Sequence, residues 1–205
     1  MRVFFTLWKM SFLIFPKLSD ILKSAISIQL NDKSLSKPWI KNKTDNPYWF
    51  SRSGISILVI IKWWEAYTKR ESPLIWVPDY FCTETLDLLR EMNYVIHFYQ
   101  IKDTLNPNWE ICYSEAIKKK PDLFILVHYY GNQSEIKQAR AFCNKFESIF
   151  IEDAAHVMVP QNQIGTESDF IFYSQYKLFS IPDGALLIQR KLPKYLKNKF
   201  TGDSK

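Results

Sequence analysis

The sequence predicts an α/β protein, a three-layer sandwich with a mainly parallel sheet between helices. Two observations predict it. From Ser53 onward short apolar runs alternate with longer helical stretches, and the residues that follow those runs are chemically unusual, as expected where strand ends face a ligand crevice. Up to about Pro47 the chain is poorly periodic, punctuated by Pro16, Pro38 and Pro47, and Asp20 to Leu30 is the one helix its pattern supports. Ser53 to Lys69 reads as a helix that is apolar nearly all round (Ile55, Ile57, Leu58, Ile60, Ile61, Trp63, Trp64), which argues for burial between layers. Pro73 stops it. Strands follow at Leu74 to Val77, Tyr94 to Tyr99, Leu123 to Val127 and Ile149 to Ile151, with helices between them at Thr83 to Met92, Trp109 to Lys119 and Ser134 to Phe146. That order implies β-α-β crossovers and parallel pairing. Phe170 to Tyr173 and Ala185 to Gln189 supply further strands, the second a candidate for antiparallel pairing.

Composition narrows the function classes. The 205 residues are 47% hydrophobic and 16% aromatic, with 5 Gly and 10 Pro, which excludes collagen-like, low-complexity and disordered chains. The net charge of +6 is concentrated at the end: Arg190, Lys191, Lys194, Lys197, Lys199 and Lys205 stand against Asp203. The body is nearly neutral and the basic end reads as solvated, so no nucleic-acid partner is expected. Cys82, Cys112 and Cys143 are widely spaced with no C-x-x-C, which fits neither a zinc site nor a disulfide framework and points to the reducing cytoplasm. Arg2, Lys9 and Pro16 interrupt the apolar start, so no membrane-spanning segment is expected. G-x-G-x-x-G is missing after the first strand, which argues against a dinucleotide-dependent oxidoreductase.

The strand ends carry Pro78-Asp79-Tyr80-Phe81-Cys82, then His128-Tyr129-Tyr130-Gly131, Glu152-Asp153-Ala154-Ala155-His156 and Ser174-Gln175-Tyr176-Lys177. Singly, each has an ordinary structural reading as a cap, a hydrogen-bonded histidine or a solvated lysine. In order, with Ser53-Gly54 opening the apolar helix and Pro182-Asp183-Gly184-Ala185 after the lysine, they resemble the DegT/DnrJ/EryC1/StrS aminotransferases over about residues 47 to 190.

This resemblance implies a fold-type-I large domain binding pyridoxal 5'-phosphate (PLP), and that cofactor needs four partners. Lys177 would supply the amine that condenses with its aldehyde and moves the substrate proton, and Asp153 the acid beneath the pyridine nitrogen. Amides of Gly54 and Ile55 at the helix start would take the phosphate, with hydroxyls from Ser53 and Ser56, for which capping is an equal alternative. Ser174 is a second phosphate candidate, although its spacing of three residues from Lys177 is shorter than the common family pattern. Phe81, in competition with Tyr80, would stack on the ring, and His156 would contact the phenolic oxygen. His128 is read as mainly structural.

Family members continue into a small carboxyl-terminal domain. The organisation expected here is therefore an N-terminal extension over 1–47, a PLP-binding large domain over 48–190 and a basic stub over 191–205. The implied activity is amino transfer, with glutamate as donor, to a keto sugar, of the nucleotide-linked kind, in polysaccharide or deoxyaminosugar biosynthesis by a homo-oligomer. The alternative is a truncated, non-catalytic remnant or interaction domain that keeps the fold. A deoxysugar dehydratase is disfavoured, because those relatives replace the lysine with histidine.

Overall fold

The computed structural model describes residues 32–179 and 181–190. A seven-stranded sheet runs in the order β1-β7-β6-β5-β4-β2-β3, with β1 Asn46–Phe50, β2 Ile75–Pro78, β3 Ile96–Tyr99, β4 Leu123–Val127, β5 Ile149–Asp153, β6 Phe170–Ser174 and β7 Ala185–Gln189. Pairing is parallel from β3 through β2, β4 and β5 to β6, while β7 is antiparallel to both β6 and β1. The predicted α/β class and the parallel centre are both observed.

Helices cover both faces. After the single turn α1 at Asp32–Leu35 come α2 Ser53–Thr68, α3 Thr83–Glu91, α4 Trp109–Ala116 and α5 Ile136–Phe146. Alternation along the strands divides the core in two. Ile75, Val77, Ile125, Ile151 and Phe172 pack with Ile57, Ile60 and Ile61 of α2 and Leu86 and Leu89 of α3. Trp76, Phe124, Leu126, Phe150, Ile171 and Tyr173 pack with Cys112 of α4 and Ala139, Phe142 and Cys143 of α5. The central strands β2, β5 and β6 are buried along their whole length, as strands covered on both faces must be.

Three expectations change. Helix α2 lies on one face of the sheet rather than between layers: Val59, Lys62 and Ala66, at helical spacing, are exposed, so part of its apolar stripe faces outward. Pro47, read as punctuation, sits inside β1, which it can do because β1 is an edge strand whose outer side needs no ladder hydrogen bond. Arg190, counted with the solvated basic end, is buried; its guanidinium pairs with Asp45 and donates to the Trp39 carbonyl at 3.3 Å. Asp45 also accepts the Lys41 and Asn42 amides at 2.8 Å. The stretch before β1 is thus fastened to the residue that follows β7, and Trp39 enters the core. The expected helix at Asp20 to Leu30 and the stub over 191–205 lie outside the described residues.

Removing one partner of a buried ion pair leaves the other charge desolvated and unmatched. Asp45→Ala should therefore lower the unfolding free energy by about 3–5 kcal/mol in urea denaturation, and Asp45→Leu combined with Arg190→Met should recover most of the loss. A single variant as stable as wild type would show that the pair is not holding this end of the sheet.

Candidate functional site

The strand order makes the site. From β2 the chain crosses outward to β3 and then returns to the other side of β2 for β4, β5 and β6, so β2 and β4 flank a topological switch point. Crevices in open α/β sheets form at the carboxyl ends of strands there. Register pairs Val127 with Asp153 and Asp153 with Phe172, which brings the ends of β4 and β5 to one level, with β6 running two residues further to Ser174.

Two cavities open at that edge. The first, about 310 Å³, is lined by residues 80–83, 127–130, 153, 155 and 156, and by Lys177. The second, about 370 Å³, is lined by Arg52, Ser53, Gly54 and Ile55 at the start of α2, by one face of α3, and by Tyr176 and Lys177. Cys82 and Lys177 line both.

Asp153 is the last residue of β5 and is 9% exposed. Its Oδ1 accepts the Ala155 amide at 2.9 Å. Burial pushes its carboxyl above the ordinary carboxylate range; the Ala155 amide, then the charges of Lys177, His128 and His156, pull it back. Lys177 ends a 3₁₀ turn at Gln175–Lys177 and is exposed. His156 sits within a turn closed by the Val157 amide on the Ala154 carbonyl at 2.9 Å, and it shares the first cavity with Asp153 and Lys177.

The two ring candidates differ in their surroundings. Tyr80 is 58% exposed and already stacked on Tyr129 at 5.6 Å, and the Tyr129 hydroxyl donates to the Tyr80 carbonyl. Phe81 is half-buried against the α2-side core and lines the first cavity. Ser53, Gly54 and Ile55 border the second cavity, but the Ile55 amide already donates to the Arg52 carbonyl at 3.2 Å. Gly54 serves packing as well as access: a Cβ there would lie 3.2 Å from Leu88 Cδ2, so the glycine lets α2 start close against α3. Ser56 and Ser174 are not brought to either cavity wall; both are fully buried, and their hydroxyls have no partner among the described residues.

His128 is buried and structural. The Ser134 amide donates to Nδ1 at 3.1 Å, which leaves Nε2 to carry the proton and donate to Glu152 Oε2 at 2.7 Å. Glu152 Oε2 also accepts the Gly165 amide at 2.9 Å. Gly131, at φ 80°, packs so tightly that an added Cβ would lie 2.8 Å from the His156 carbonyl oxygen.

Sequence reading missed two residues. Gln175, 2% exposed, donates its side-chain amide to the Val157 and Met158 carbonyls at 3.4 and 3.2 Å, tying the Lys177 turn to the loop after Asp153. Arg52 lies over the Tyr176 ring at 4.4 Å, tying that turn to the start of α2. The signal for both was position alone, since each stands within two residues of a candidate.

A carboxyl raised by burial binds its proton more tightly when folded than when unfolded. Stability is then fully present below the unfolded value, about 3.9, and falls as pH rises through the folded one. In the cofactor-free protein Asp153→Asn, which keeps the acceptor for Ala155, should therefore melt higher than wild type at pH 7. That gain should vanish below about pH 4. Thermal melts across pH check this, and a variant that melts lower at pH 7 would show that burial does not dominate.

The DegT/DnrJ/EryC1/StrS aminotransferase family matches residues 74–188, more than half of the chain. No curated protein matches. Among solved structures, the aminotransferase PseC of Helicobacter pylori, involved in pseudoaminic acid biosynthesis, aligns at TM-score 0.67 and 17% identity over 89% of this chain and 51% of its own. NtdA of Bacillus subtilis, solved with the cofactor PMP, aligns at 0.65 and 19% over 88% and 41%. A DegT/DnrJ/EryC1/StrS aminotransferase from Brucella abortus aligns at 0.63 and 14% over 87% and 51%. At these identities the structures show the fold, that of the fold-type-I aminotransferases, and the chain spans about half or less of their length. With its matched region running from the start of β2 through the candidate acid and lysine to β7, the chain belongs to the DegT/DnrJ/EryC1/StrS aminotransferase family.

Proposed function

We propose that this chain is the PLP-binding large domain of a sugar aminotransferase. The observation that carries the reading is that Asp153 and Lys177, far apart in sequence, line one cavity at the carboxyl ends of parallel strands. The residues present fit the cofactor. A buried carboxylate, an exposed amine, an aromatic wall and, through the shared lysine, a helix N-terminus with an uncommitted serine hydroxyl are the donor set it requires.

When bound, PLP supplies an electron sink that makes amino transfer feasible. The chain's own residues do the rest. Asp153 would hold a proton at the heterocycle nitrogen, Lys177 would supply the amine that holds the cofactor and would move the proton of the substrate carbon, Phe81 would lie against the ring and His156 would contact the phenolic oxygen. Gly54, Ile55, Ser53 and Ser174 are the phosphate candidates, with Ser174 requiring movement to reach the cavity. Glutamate as donor and a keto sugar, nucleotide-linked, as acceptor follow from the family, as do a homo-oligomer and a cytoplasmic location. Among the described residues no helix is long and apolar enough to cross a membrane.

A second reading is an interaction domain that keeps the fold without catalysis. Adding PLP to the purified protein separates the two. The aminotransferase reading expects a visible absorption band that sodium borohydride fixes covalently, absent in Lys177→Ala. It also expects activity about 100-fold or more below wild type in Asp153→Asn. Wild type that takes up no PLP would leave the second reading standing.

A further inference from the structure

Part of the frame of the first cavity comes from a residue that does not line it. Trp39 belongs to the segment before β1, and its indole N–H donates to the Met158 carbonyl, 119 residues away in sequence, at 2.8 Å. The same carbonyl accepts the side-chain amide of Gln175 at 3.2 Å. Met158 stands two residues after His156 and Gln175 two residues before Lys177, and both His156 and Lys177 line the cavity. One oxygen atom therefore joins the loop after β5, the turn after β6 and the segment before β1.

The junction can set positions because Trp39 is itself fixed to the sheet. Its buried ring packs edge-on against Trp49 of β1 at 5.9 Å and tilted against Tyr173 of β6 at 6.4 Å. Its carbonyl accepts Arg190 Nη2 at 3.3 Å, beside the buried Asp45–Arg190 pair. Met158 and Val159, by contrast, turn their side chains outward, so packing does not place this part of the loop. Its backbone partners do. Lys41, two residues after Trp39, repeats the connection by donating to the Asn162 carbonyl at 3.5 Å. On the other side of the junction the Leu178 and Phe179 amides donate to the Gln175 carbonyl at 3.0 and 2.9 Å, so a shift of Gln175 carries the Lys177 turn with it.

We propose that Trp39 is a positioning residue for the first cavity, setting the Lys177 turn against the His156 loop through the Met158 carbonyl that it shares with Gln175. The effect on the reacting amine rests on the cofactor reading, and the junction on the hydrogen bonds alone. A remote contact matters here because misplacing a reacting group by about 1 Å costs on the order of a hundredfold in rate.

Two matched variants test it. Trp39→Phe removes the N–H and keeps an aromatic ring; Trp49→Phe makes the same change in the same cluster, where the N–H donates to Ser36 Oγ at 3.0 Å and leads to no cavity residue. In the cofactor-free protein, amide hydrogen exchange over residues 156–159 and 175–179 should quicken by about two- to tenfold in Trp39→Phe and stay at wild-type rates in Trp49→Phe. With PLP added, Trp39→Phe alone should form the borohydride-fixed visible band more slowly, by about two- to tenfold, and move its pH midpoint by about half a unit, equivalent to about threefold. Thermal melts confirm folding; should Trp39→Phe not fold, a benzothiophene isostere at position 39, with sulfur for the N–H, takes its place. Equal changes in the two variants, or unaltered exchange over 175–179 in Trp39→Phe, would overturn the proposal. Quickened exchange with an unmoved midpoint and rate would overturn it too, leaving Trp39 a packing residue. Wild type that takes up no PLP, with exchange quickened only in Trp39→Phe, would uphold the junction and overturn the cofactor reading.

Discussion

The buried hydrogen bond between His128 and Glu152 is the constraint on which the rest of the site depends. Both side chains are fully withdrawn from water, and neither is tolerated there without the other. The Ser134 amide fixes the imidazole tautomer, and the Gly165 amide shares the carboxylate. Four segments are thus tied at one point: the end of β4, the loop before α5, the end of β5 and the loop before β6. With the His128 amide also on the Asp153 carbonyl at 2.9 Å, the level of Asp153 against Val127 is held by backbone and side chain together.

Adjacent residues then divide the work by the alternation of a strand. Glu152 points to the α5 side and anchors the framework, while Asp153 points to the other side and into the first cavity. One residue of register shift would exchange them, burying the acid meant for a ligand and exposing the one that secures the loops. Strand β5 is protected from such a slip by being central, buried at every position and paired on both sides.

What the sequence made legible follows from how local each signal is. The central strands and their helices are written in apolar periodicity, and the candidate acid, lysine and histidine stand directly after those runs, so both class and strand-end chemistry could be read. The strand at Asn46–Phe50 could not, because its pairing partner lies nearly 140 residues away at Ala185–Gln189 and its proline mimics a break. Arg190 was misread for the same reason: its charge suggested solvent, and only the fold reveals Asp45 beside it. Ser174, whose spacing from the lysine already departed from the family pattern, ends a strand buried on both faces, which spacing alone did not reveal.

The turn that bears Lys177 shows how a short motif acquires a fixed position without a helix to hold it. Its three residues form a single 3₁₀ turn, too short to be rigid by itself. Gln175 points inward and fastens it to the loop that follows Asp153; Tyr176 points toward α2 and is covered by Arg52. The Tyr176 amide donates to the Gly184 carbonyl at 3.1 Å, and the Gly184 amide to the Ser51 carbonyl at 3.1 Å, so the backbone repeats the same connection. Each neighbour of Lys177 is committed to a different wall of the two cavities, and the lysine is the residue of the turn left facing both.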